Sequence, residues 1–133
     1  MATKYTVKKP FIVVYFILIL LGFLLTIGRW YSVVDIDFVV INGVIHSHIS
    51  NFSLSLIVYL GIGYSWLIYG TKFKYTMLLG VFLIIGNFVC ETLMGFMNTT
   101  DIVDAIYGTA SVLIAFVFLL ATYKCGLIPK SNK

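Results

Sequence analysis

Four long apolar runs, separated by short polar gaps, organise the chain: Pro10 to Gly28, Ile49 to Thr71, Tyr75 to about Phe96, and Ala105 to Tyr123. Glu91 alone puts a formal charge inside one of them. A hydrocarbon core of about 30 Å takes roughly 20 residues of helix, so each run predicts one membrane crossing. The spans are expected at about 10–30, 50–71, 74–96 and 102–123. They predict an all-α polytopic membrane protein, a four-helix up-down bundle making a single integral membrane domain over 1–133. The connector Lys72-Phe73-Lys74 is so short that spans two and three must be antiparallel neighbours. The gap from Met97 to Asp101 imposes the same on spans three and four.

Charge supplies an orientation. Lys4, Lys8 and Lys9 precede the first run, Lys72 and Lys74 join the second to the third, and Lys124, Lys130 and Lys133 follow the fourth. Short lysine-rich segments stay in the cytoplasm, which predicts both termini inside the cell membrane. The alternate gaps carry Asp35, Asp37, Asp101 and Asp104, with Glu91 near the end of its run and Arg29 as their one basic residue. They are expected to face outward.

Composition narrows the function classes. With 133 residues, 61% hydrophobic and 11% charged, the spans and connectors use nearly the whole sequence and leave no room for a soluble domain. The net charge of +4 comes from lysines at helix ends on one side, where they meet anionic lipid rather than nucleic acid. The first run is longer than the apolar core of a cleaved leader, and Thr26-Ile27-Gly28 is a poor cleavage site, so it reads as a retained helix. Cys90 and Cys125 are expected at opposite membrane faces, too far apart for a disulfide, as free thiols packed like small apolar residues. No metal-ligand spacing and no cofactor motif is present.

The first outer gap, 30–50, is the one connector long enough for structure of its own. Two β-branched runs meet at Asn42-Gly43, which predicts a small β-hairpin; an interfacial stretch without fixed pairing is the alternative.

Helical spacing then sorts the polar residues onto faces. Gly108, Ser111 and Ala115 continue a small-residue stripe that begins at Asp101 and Asp104, a helix-packing surface to be covered inside the bundle or by a second copy of the chain. Asn87 and Glu91 share a face of span three, and Asn51, Ser55 and Tyr59 share one of span two. Polar groups at such depth should point inward. Together they predict an outer polar pocket of Glu91, Asn87, Asp101, Asp104, Arg29 and Tyr59. Glu91 leads, because a carboxylate one turn inside the membrane is costly unless paired, protonated or solvated. Arg29 is the guanidinium available to pair with it. Simpler readings exist: Asp101 and Asp104 as helix caps, Arg29 beside Trp30 and Tyr31 as an interfacial anchor, and His46 and His48 as ordinary loop residues.

The run Glu91-Thr-Leu-Met94-Gly-Phe-Met-Asn-Thr-Thr-Asp101-Ile-Val-Asp104-Ala-Ile-Tyr107-Gly108 resembles the most recognisable stretch of VanZ-like membrane proteins. There a glutamate near the end of one span is followed by an aspartate pair three apart and a glycine opening the last span; Glu91, Asp101, Asp104 and Gly108 carry the match. The chain departs from the pattern at Met94, at Asn98 to Thr100 and at Tyr107, where the family carries Gln, Arg and Asn. The resemblance implies a bacterial cytoplasmic-membrane protein of a family associated with resistance to the glycopeptide teicoplanin, which acts on lipid-linked cell-wall precursor at the outer leaflet.

The sequence thus favours a non-enzymatic protein whose acidic outer pocket binds a cationic or amine-bearing head group, a lipid-linked precursor or another membrane protein. No catalytic residue, cofactor or metal is assigned. Two alternatives stand beside it: a carboxylate-dependent hydrolase or transferase drawing on Ser55, Tyr59, Tyr107 or the histidines, and a cation- or proton-conducting oligomer lined by Glu91 and Asn87.

Overall fold

A computed structural model describes residues 2–32, 34, 35, 37, 39, 41–94 and 102–131, and all of these but Met94 with their side chains. The elements run β1 (Tyr5–Val7), α1 (Lys9–Tyr31), α2 (Gly43–Tyr69), α3 (Phe73–Met94), α4 (Ile102–Ala121), a π-helical turn (Thr122–Gly126) and β2 (Leu127–Pro129). All four α-helices are long and apolar enough to cross a membrane, which makes this a multi-pass membrane protein by architecture. Their outward surfaces are lined by Phe16, Ile17, Leu20, Leu78, Phe82 and Val117, all exposed, as suits a bilayer rather than water.

The two short strands pair antiparallel, Tyr5 with Pro129 and Val7 with Leu127, and so hold both ends of the chain at one end of the bundle. This proximal end is tightened by backbone bonds from the Lys4 amide to the Ile68 carbonyl and from the Lys8 amide to the Gly126 carbonyl. Lys130 Nζ also donates to the Thr3 hydroxyl. Nothing in the hydropathy pattern announces strands this short, with a proline in one of them.

Three helix ends have a clear local cause. Pro10 sits in the first turn of α1, where an amide has no intrahelical partner to lose. Gly70 closes α2 in the left-handed conformation, φ 77°, with its amide returning to Leu67 and that of Thr71 to Trp66. At the other end, Asn42 accepts the Ile45 amide at 2.9 Å and caps α2, so Gly43 is helical. The hairpin expected at Asn42-Gly43 therefore does not form: asparagine suits a tight turn and a helix N-cap equally, and the longer amphipathic helix wins. Span two consequently begins at Gly43 rather than near residue 50. Ile41, just before the cap, holds φ 62°, an uncommon conformation for a β-branched residue and a local strain at the entry to α2.

α2 is the hub. Its largest interface is with α4, and it also carries α1 and meets α3; α3 packs in turn on α4. The core joins Leu56, Tyr59, Leu60 and Leu67 of α2 to Val112, Ala115, Phe118 and Leu119 of α4. Tyr15 of α1 stacks on Tyr64 of α2 with ring centroids 3.9 Å apart. The small-residue stripe of α4 is covered within the bundle: Ala105, Gly108, Ser111 and Ala115 are all buried. The Asn87 side chain of α3 lies over Gly108 so closely that a Cβ there would come within 2.5 Å of its amide nitrogen. Cys90 and Cys125 are free thiols, as the separation of their positions requires, but both lie exposed on the outside of the bundle rather than packed within it.

Candidate functional site, a polar layer at the distal end

Away from the strands, the first four turns of α2 send a polar side chain to each of the other three helices. At about 100° per residue, His46 and Ser53 fall on one side of α2, and His48, Asn51 and Ser55 on the opposite side. On the first side, Arg29 near the end of α1 donates from Nη1 to His46 Nε2 at 2.9 Å, and the Thr26 and Ser53 hydroxyls lie 3.1 Å apart. Arginine has no acceptor, so His46 accepts here on Nε2. On the other side, His48 Nδ1 lies 2.6 Å from Asp104 Oδ1 in the first turn of α4. This is an ion pair whenever the ring is protonated. Asn51 Nδ2 donates to Glu91 Oε1 at 3.1 Å, and one turn deeper Asn87 Nδ2 donates to Ser55 Oγ at 3.1 Å.

The structure therefore brings Glu91, Asn87 and Asp104 to one side of α2 and sends Arg29 to the other. The expected Arg29–Glu91 pair is not made. Its physical reason is the earlier start of α2, which lifts His46 into reach of the guanidinium, while Asn51, facing α3, takes the carboxylate. Tyr59 leaves the predicted pocket altogether: it is fully buried, its hydroxyl donates to the Thr76 carbonyl at 2.9 Å near the start of α3, and its ring packs on Gly80. Asp101 lies outside the described residues. The helix-packing residues Gly108, Ser111 and Ala115 line the buried face of α4 below Asp104.

The two histidines are what sequence reasoning passed over. Read as loop residues, both prove to be helical; His46 is buried and His48 sits against Asp104 with its ring 5.4 Å from that of Tyr107. The signal was present. Counting back from Ser55 by four and three residues gives Asn51 and then His48, a polar stripe that only makes sense if the helix starts before residue 48.

Grooves rather than one pocket follow from this arrangement. Between α1 and α2, Thr26, Arg29, Trp30, Ser50, Ser53 and Leu54 line about 420 Å³. Between α2 and α3, Leu54, Ser55, Val58, Phe82, Leu83, Gly86, Asn87 and Cys90 line about 230 Å³; Glu91 follows Cys90 in α3 but does not line this groove. Among the described residues no three His, Cys, Asp or Glu side chains gather to hold a metal. The hydroxyls of Ser55 and Tyr59 are engaged by an amide and a backbone carbonyl, not by a base.

Compared with protein families, with curated proteins and with solved structures, the chain matches none.

Proposed function

We propose that this chain is a non-enzymatic protein of the bacterial cytoplasmic membrane, its termini inside and its polar layer outside, that binds an amine-bearing lipid head group at Glu91 in maintenance of the cell envelope. The orientation rests on the lysines: Lys4, Lys8, Lys72, Lys74, Lys124 and Lys130 all belong to the end where the strands pair.

The observation that carries the binding role is Glu91 itself. It is half-buried at the end of α3, it accepts from Asn51, and among the described residues no cation lies within ion-pairing distance. A carboxylate so placed calls for a cationic partner. In the neighbouring α2–α3 groove, which reaches Asn87 and Cys90, Leu54, Val58, Phe82 and Leu83 give apolar walls suited to an acyl chain. The resemblance of residues 91–108 to VanZ-like proteins supports the same setting, since that family is associated with an antibiotic acting on lipid-linked precursor at the outer leaflet.

The test is Glu91→Gln, which keeps an acceptor for Asn51 and removes the charge. Phosphatidylethanolamine should raise the melting temperature of the detergent-solubilised wild type more than phosphatidylcholine does. The variant should fold and lose that preference. Equal responses of both proteins to the two lipids would remove Glu91 from the proposal, and unchanged glycopeptide susceptibility in cells carrying the variant would detach it from the VanZ-like setting.

A further inference from the structure

Arg29 poses a separate question. Its guanidinium is held through Nη1 alone, by His46 Nε2 at 2.9 Å and by Ser32 Oγ at 3.5 Å, both uncharged acceptors in this geometry. Neither bond uses Nη2 or Nε. Arginine stays charged at any physiological pH, so a full positive charge stands near the end of a membrane-crossing helix with no carboxylate against it among the described residues. Among the described residues, the acids that hydrogen-bond do so elsewhere. Glu91 and Asp104 bond on the far side of α2, and Asp35 accepts the Asp37 amide at 3.2 Å.

The groove that Arg29 lines has a consistent chemistry. Ser50 and Trp30 add an O–H and an N–H donor to the lining, and no acid contributes to it. Trp30 is 75% exposed and Leu54 62% exposed, so the groove opens sideways between α1 and α2 on the apolar exterior rather than into the bundle. Its volume of about 420 Å³ is of the order of a glycerophosphate head group. A guanidinium with no carboxylate against it among the described residues, neutral donors beside it and an apolar wall below matches an anion that carries hydrocarbon. We infer that the α1–α2 groove binds the phosphodiester of a membrane phospholipid, with Arg29 as the principal ligand and Leu54 flanking the acyl chain.

This site is independent of Glu91, and the experiment separates the two. Full-length protein in phosphate-free sugar detergent is offered phosphatidylglycerol, phosphatidylcholine or diglucosyl diacylglycerol, and retained lipid is read by native mass spectrometry. Both phosphodiester lipids should be retained about tenfold more than the glycolipid, the yield of one charge-assisted interaction. Arg29→Gln should abolish that preference, Arg29→Lys should restore part of it, and Glu91→Gln should leave it intact. Ser50→Trp fills this groove, the only one of the two that Ser50 lines, while leaving Arg29 and His46 in place, and should cut phospholipid retention likewise, which keeps the test decisive if Arg29→Gln does not fold. Wild-type preference in Ser50→Trp, or in a folded Arg29→Gln, overturns the inference. So does inorganic phosphate protecting the wild type against heat as well as phospholipid does, since the groove would then take free phosphate and not lipid.

Discussion

The distal and proximal halves of α2 solve the same problem, holding a helix inside a bundle, by different physics. From His46 to Ser55 the helix reaches its neighbours through polar pairs: Arg29, Thr26, Asp104, Glu91 and Asn87 each meet a partner from α2. From Leu56 to Leu67 it does so by shape, with Leu56, Tyr59, Leu60 and Leu67 buried against α4 and its neighbours, and with Tyr59 to the Thr76 carbonyl as the deep hydrogen bond. Lipid is as apolar as leucine, so packing in the proximal half must be close to be worth anything. The distal half is worth less per contact and offers something the other does not, namely charged and hydrogen-bonding groups at grooves that open to the bilayer.

If that division is right, the largest loss of stability belongs to the proximal half. Tyr59→Ala empties a fully buried aromatic site and removes its hydrogen bond, and should cost about 3 kcal/mol in a reversible unfolding assay in bicelles. A loss no larger than that of a distal substitution would break the comparison. Next comes Gly108→Val, which forces a branched side chain into the space held by the Asn87 amide. It should cost about 2 kcal/mol, and Asn87→Ala in the same chain should recover part of it. Absence of that recovery would show that α3 and α4 do not meet at this point. Smallest is the coupling between His48 and Asp104, about 0.6 kcal/mol by a double-mutant cycle with His48→Ala and Asp104→Ala, the average for polar pairs within membranes. A coupling as large as the Tyr59 effect would mean that the polar layer, not the packed half, governs stability.

What the sequence made legible, and what it hid, divides along similar lines. The four crossings were readable because twenty apolar residues in a row admit few other interpretations. So was the contact face of α4, since Gly108, Ser111 and Ala115 recur at helical spacing. The start of α2 was not, because the same Asn42-Gly43 pair fits a turn and a cap, and local chemistry cannot choose between them. That single ambiguity misplaced His46 and His48, and with them the partner of Arg29. Tyr59 shares a helix face with Asn51 and Ser55, yet its length carries the hydroxyl away toward Thr76; spacing records a side chain's direction around the axis but not its reach along it. The β1–β2 pairing was invisible for another reason: Tyr5 and Pro129 are joined by tertiary placement, and three-residue strands leave no periodicity to read.

That pairing has a bearing on biosynthesis. Leu127 to Pro129 leave the ribosome after all four helices, so the clasp with Tyr5 to Val7 closes last, and it closes only if both strands have been left on the same side of the bilayer. A nascent chain in which one helix failed to insert would deliver its two strands to opposite compartments and could not fasten. The ribbon can therefore form only in a chain whose helices have crossed an even number of times.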